Sequence, residues 1–122
     1  MQSPEKINLA EKLAAFAEHW TPKVIAELNG QHVKLAKIEG EFVWHAHDDE
    51  DELFLVVDGE LEMQFRDRTI TVAAGEFIVV PRGVEHCPRA LRETSILLFE
   101  PTGTLNTGDA GGERTVRSPE RL

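Results

Sequence analysis

Three of the chain's five histidines lie in two short stretches that read as β-strand with turns. The first runs Gly40-Glu41-Phe42-Val43-Trp44-His45-Ala46-His47 and continues to Glu52 and Gly59. The second runs from Gly75 through Pro81-Arg82-Gly83-Val84-Glu85-His86. One residue separates His45 from His47, so on a strand both side chains take the same face. Glu52 follows the acidic run Asp48-Asp49-Glu50-Asp51 and can return on a neighbouring antiparallel strand. His86 arrives from a distant hairpin whose turn is set by Pro81 and Gly83. Three neutral imidazoles and one carboxylate make a complete protein donor set for divalent Mn, Fe, Co, Ni, Cu or Zn. Mg and Ca prefer oxygen shells.

The elements that must position these residues are nearly all β. Phe42–His47, Glu52–Val57, Leu61–Arg66, Thr69–Val72, Phe77–Val80 and Ser95–Phe99 are short runs rich in Val, Ile, Phe and Leu. Turn residues at Asp58-Gly59, Asp67-Arg68, Ala74-Gly75 and Pro81-Arg82-Gly83 separate them, a rhythm typical of sandwiches and barrels. Val24–Leu28 and Gln31–Ile38 flank Asn29-Gly30, a pair suited to the positive φ angles of a type I′ hairpin turn. The one helix expected is near the start: Asn8-Leu9-Ala10-Glu11 fits a capping box, and Leu9, Leu13, Phe16 and Ala17 form an apolar stripe up to Thr21-Pro22. Residues 1–22 therefore read as a helical segment, 23–100 as the barrel and 101–122 as a Gly- and Thr-rich arm, partly ordered or draped over the barrel. Leu53–Val57 and Ile96–Phe99 lack polar alternation, so their outer face needs a cover, and a homodimer packing sheet on sheet is the expected one.

At 122 residues the chain is long enough for one packed core. Its net charge of −9 argues against a nucleic-acid surface. No apolar run approaches the ~20 residues of a membrane span. The single cysteine, Cys87, rules out an internal disulfide, which makes a reducing cytoplasm the expected compartment.

Gly40–Gly59 resembles the first cupin motif, G(X)5HXH(X)3,4E(X)6G, and Gly75–Ala90 resembles the second, G(X)5PXG(X)2H(X)3N, with fifteen residues between them. There are two departures: only four residues separate Gly40 from His45, and Ala90 stands where the motif has Asn. Neither removes a ligand. The resemblance implies an all-β, double-stranded β-helix or jelly-roll barrel of the small single-domain cupin type, often labelled conserved-barrel or mannose-6-phosphate-isomerase-like. It implies that His45, His47, Glu52 and His86 hold one divalent transition metal, Mn, Fe, Ni or Zn. Cupins include dioxygenases, isomerases, decarboxylases and plain binding proteins, so the fold leaves the reaction open.

Four protein ligands on a six-coordinate metal leave two adjacent positions, which suit a bidentate keto acid, hydroxy-ketone, enediol or catechol-like compound. The metal would polarise the bound oxygen, and Fe(II) would add dioxygen chemistry. Two readings stand: a small metal-dependent enzyme on a polar bidentate metabolite, or a non-catalytic metal- or ligand-binding barrel. An enzyme calls for a cavity of roughly 300–1,000 Å³; a binding barrel calls for a closed or plugged site. Val43, Phe54, Val56 and Met63 are candidates to line the pocket, and Arg82 to meet a carboxylate or phosphate. Phe42 and Trp44 are expected on the opposite strand face, packing in the core or a dimer. Arg66, Arg68 and Arg89 are expected in solvent, and proton transfer is expected to need Glu85, a metal-bound water or a carboxylate that the sequence does not place. Cys87 reads as a buried, inert thiol, and His19 and His32 are given no role.

Overall fold

A computed structural model describes residues 3–122. Its one helix, α1, spans Leu9–Ala14, and seven strands follow: β1 Lys23–Leu28, β2 Gln31–Glu41, β3 Glu52–Asp58, β4 Glu60–Phe65, β5 Thr69–Ala73, β6 Phe77–Val80 and β7 His86–Pro101. All pairings between strands are antiparallel. The order β1-β2-β7-β3-β6 forms one face of the barrel, and β4, flanked by β5 and β7, forms the other. β7 belongs to both: His86–Arg89 pairs with β4, while Ser95–Phe99 lies between β2 and β3. The long strand thereby closes a jelly roll. No helix among the described residues is long and apolar enough to cross a membrane.

Side chains that alternate inward from β2, β3 and β7, with partners from β4 to β6, fill the barrel. Ile38, Val56, Leu61 and Met63 are essentially inaccessible at its centre, each contributing about 1.5–3 kcal/mol of apolar burial. The Asn29-Gly30 hairpin forms as expected, with φ of +50° and +74° at its two central residues, and it sets the register of β1 against β2.

The helix is shorter than its apolar stripe. Asn8 caps it by accepting from the Glu11 N–H at 3.0 Å, but it ends at Ala14. There the Ala15 N–H turns back to Lys12 O, and Phe16 O instead accepts from Lys37 Nζ at 2.7 Å. The stripe still packs as its spacing implies: Leu9, Leu13 and Phe16 cover Ile25, Val33, Leu35 and Leu97 on the outer sheet face.

Phe42–His47 is not a strand. β2 stops at Glu41, and only His45 bridges to His86. Other partners take its backbone groups: Phe42 N–H donates to Pro88 O, His47 O accepts from Gly83 N–H, and Ala46 bonds Asp109 through both its N–H and its C=O. Conversely, β7 begins at His86, well before Ser95, because pairing with β4 and β2 outweighs the local discouragement of Pro88.

The arm after Pro101 is folded onto the barrel. Gly108, at φ +52°, sits so tightly on Ala46 O that any Cβ there would clash with that carbonyl. Residues near the terminus bond β1 (Val24 N–H to Glu120 O, Leu122 N–H to Val24 O), and the buried Lys23 ammonium pairs with Glu18 at 2.7 Å and Glu120 at 2.9 Å.

Candidate metal site

His45 and His47 come from the loop after β2, Glu52 from the first position of β3 and His86 from the first position of β7. All four are buried. Each offers a donor atom, and these atoms lie within 4.8 Å of one another. Glu52 Oε1 is 3.2 Å from His47 Nε2 and 3.7 Å from His86 Nε2. Donors bound at about 2.0–2.2 Å to one ion stand roughly 3–4 Å apart; the two Glu52 separations match this, and the outer limit of 4.8 Å is slightly wider than a closed shell.

The hydrogen bonds point the same way. His45 Nδ1 and His86 Nδ1 each lie 2.9 Å from a backbone carbonyl, Val43 O and Val84 O. Each carbonyl accepts from an Nδ1–H, which leaves an Nε2 lone pair facing inward, the usual way proteins orient metal-ligating imidazoles. Inside, His47 Nε2, Glu52 Oε1 and His86 Nε2 are buried with no hydrogen-bond partner. His47 and Glu52 are at ion-pair distance but misaligned for a hydrogen bond. Buried polar atoms are rarely left so, and a shared cation satisfies all of them at once. This donor set fits a metal ion.

Burial, aided by the charge of His86, pushes the His45 imidazole down to about 4, so it is neutral and able to bind metal near neutrality. For His47 burial acts downward, but the Glu52 carboxylate 3.2 Å away outweighs it and raises its pKa. Burial opposes ionisation of Glu52, yet the neighbouring Glu100, His47 and His86 together hold it well below the usual carboxylate range.

Glu100 carries the opposite shift. Burial and the Glu52 charge drive it well above the ordinary value, against the pull of the Lys34 ammonium 2.9 Å away. Both Glu100 and Lys34 are buried, and Glu100 Oε2 has no partner. Two neighbouring carboxyls with pKa values driven apart make an ionised group beside a proton-holding one.

A cavity opens beside the donor set, with His45, Glu52 and Glu100 at its polar end. Its walls are apolar and largely aromatic: Trp20, Phe42 and Phe54 with Ile38, Ile96 and Leu98, and Asn106 enters from the arm. Trp20 and Phe42 stack with centroids 4.6 Å apart, and the Arg114 guanidinium caps both rings at 5.6–5.7 Å. As closed here the cavity offers only about 40 Å³, room for about three waters.

The expected pocket residues divide. Phe54 lines the cavity. Val56 and Met63 are fully buried in the core around it, and Val43 serves through its carbonyl. Arg82 is exposed and tied to Asp51, with Nε 3.3 Å from Oδ1. It does not line the aromatic cavity, and neither does any other lysine or arginine; together with Glu52 it lines a separate surface cleft of about 450 Å³.

Phe42 is a cavity wall, contrary to its expected place on the opposite face, because the chain around it is irregular. Trp44 lies under the Arg66 guanidinium at 3.8 Å, and Arg66 also grips Glu85 at 2.7 Å. Arg66 and Arg68 are exposed as expected, though Arg66 is paired, and Arg89 is half-buried against Glu62 at 2.6 Å. Held by Arg66 on the surface, Glu85 is no proton carrier for this site. Cys87 is fully buried, and burial followed by the charge of Glu41 pushes its thiol up to about 11, too high to supply a thiolate.

Glu100, Lys34, Trp20 and Asn106 escaped sequence reasoning. Lys34 did leave a trace, a cation on the same strand face as Ala36 and Ile38. Trp20 and Asn106 left none, since each is in an irregular segment.

A small antiparallel jelly roll with three histidines and a glutamate meeting inside it is the architecture of a cupin barrel that can bind a metal ion. The Cupin_2 family model (Cupin domain) matches residues 31–100, and the chain belongs to that family. It is similar to the uncharacterized protein YdbB of Bacillus subtilis (strain 168), with 40% identity over 77 residues, 62% of this chain and 68% of that protein. Among solved structures it is similar to a cupin-2 domain containing protein from Shewanella frigidimarina NCIMB 400, at 53% identity and TM-score 0.77, covering 78% of this chain and 93% of that one. It is likewise similar to protein NMB1881 from Neisseria meningitidis, at 36% identity and TM-score 0.74, covering 80% and 100%.

Proposed function

We propose that this chain is a small metal-dependent enzyme whose His45, His47, Glu52 and His86 hold one divalent Mn, Fe, Ni or Zn. Its substrate is a compact molecule with two adjacent oxygens on a flat, apolar body. The carrying observation is the inward convergence of orphaned buried donors at the polar end of a cavity walled by Trp20, Phe42 and Phe54. The bound metal would supply a Lewis acid, and iron would add redox chemistry. The chain's own residues do the rest. Aromatic walls take the flat body and exclude water, and Glu100 Oε2 stands ready to exchange a proton with a substrate hydroxyl. The absence of a wall cation disfavours phosphate esters.

Among the bidentate ligand classes, these walls favour a catechol-like compound. Metal-loaded protein is therefore expected to bind 4-nitrocatechol with a visible absorbance shift and micromolar affinity, and Phe42→Ala to weaken this at least tenfold. No shift at millimolar probe would exclude that substrate class. A second reading, a barrel that holds metal without turnover, is favoured by the small closed volume. It prevails if catechols, keto acids and hydroxy-ketones are all consumed no faster by the parent than by His86→Ala.

The outer sheet supports a homodimer. Cross-strand pairing sets Phe99, Leu53 and Val79 in one row and Leu97, Leu55 and Phe77 in the next, with Phe77 62% and Val79 48% exposed. The α1 stripe covers only the neighbouring half of this face, and a second copy would bury the remainder. Light scattering is expected to give twice the chain mass, and Phe77→Asp/Val79→Asp to give one chain mass. A monomeric parent would refute the dimer.

A further inference from the structure

On another side of the donor set lies a groove that shares no lining residue with the apolar cavity and touches the set through His47. This groove, of about 210 Å³, is lined by His47, Asp48, Asp49, Glu50 and Asp109 with backbone of the arm, and by no lysine or arginine. None of these four carboxylates forms an ion pair among the described residues; in the acidic run Arg82 takes Asp51 instead. Asp109 is fixed toward the loop by the Ala46 N–H, which donates to its Oδ1 at 2.9 Å.

His47 connects the groove to the interior. The residue lines the groove while its Nε2 is 3.2 Å from Glu52 Oε1. It is also the one histidine of the set whose Nδ1 has no partner: the carbonyls that fix His45 and His86 have no counterpart here, and both His47 nitrogens are buried and unpaired. An imidazole without that restraint can turn to meet an arriving ion and carry it inward. The two approaches also differ in chemistry. Four unpaired carboxylates attract a hydrated dication and repel an anionic ligand, whereas the apolar walls of the cavity favour an apolar organic body.

We propose that the groove formed by Asp48, Asp49, Glu50 and Asp109 is the route by which hydrated divalent cations reach the site, with His47 the first ligand engaged, leaving the aromatic cavity to the organic ligand. Clustered like charges at a concave surface raise the association rate of counter-ions, and salt removes the effect. This rests on the metal reading above.

The test follows Co²⁺ uptake by metal-stripped full-length protein in stopped flow, through the cobalt absorption bands, at about 10 mM and 500 mM salt. Asp48→Asn/Asp49→Asn/Glu50→Gln is expected to bind one equivalent, with an association rate about tenfold below the parent at low salt and equal to it at high salt. A control that removes the same charge from remote exposed positions, Glu60→Gln/Asp67→Asn/Glu113→Gln, is expected to keep at least half the parent rate. Circular dichroism confirms folding of each variant. Equal rates for parent and groove variant at low salt overturn the route. So does a deficit that persists at high salt, or an equal deficit in the control. A parent that takes up no cobalt at any rate instead overturns the metal reading on which the route depends.

Discussion

Protein purified without added metal is expected to carry close to one equivalent of a divalent transition metal, and His86→Ala to carry none while remaining folded. His86 is fully buried, its Nε2 has no partner and its ring is held by Val84 O, so its inward nitrogen has no other evident use. Without an ion, each orphaned buried donor costs about 1–3 kcal/mol, and the three facing one another share that burden. A ligand that binds only the folded state, present at about a thousand times its Kd, stabilises by about 4 kcal/mol. Chelator should therefore lower the parent's Tm by roughly 10 °C or more and leave His86→Ala almost unmoved. Elemental analysis and thermal melts with and without chelator measure both effects. A folded parent that holds no metal and takes none on titration would refute the site. Iron would direct assays toward oxygen-dependent reactions, and zinc, nickel or manganese toward isomerisation and decarboxylation.

The second large effect lies behind the site. Lys34→Met is expected to destabilise the protein by about 1–3 kcal/mol, because it leaves the buried, proton-holding Glu100 carboxyl without the donor that now stands 2.9 Å away. Lys34→Met/Glu100→Leu should recover most of that loss, since an apolar pair of similar volume leaves no buried charge. Denaturant unfolding of the two variants and the parent decides the matter. A cost below about 1 kcal/mol for the single variant would show that the Lys34–Glu100 contact contributes no net stability.

The parts legible in the chain were those in which local spacing and local physics coincide. Asn29-Gly30 specified its own turn through two positive φ angles, and the motif glycines and Pro81 marked turns around the donors. The limits of the local view show at the same site. Phe42–His47 has the composition of a strand, yet its backbone partners are Gly83, Pro88 and Asp109, so it leaves the ladder after Glu41. That departure turns Phe42 toward the cavity and frees His47 from the restraint that holds its two neighbours. β7 shows the reverse, a segment broken by Pro88 that becomes a sixteen-residue strand because neighbours on both sides supply its bonds.

By itself the sequence determined the all-β class, the family and the four candidate ligands, because each ligand's identity is bound to a short spacing that survives whatever the rest of the chain does. Only the tertiary structure decided the surroundings of those ligands: Glu100 and Lys34 behind them, the Trp20–Phe42 wall, the arm that brings Asn106 and Asp109 to the two approaches, and the retirement of Arg82 and Glu85 into surface ion pairs. Lys34 and Glu100 are 66 positions apart, and Ala46 and Asp109 are 63 apart. Burial and pairing at that range depend on how the barrel closes, which no local spacing encodes.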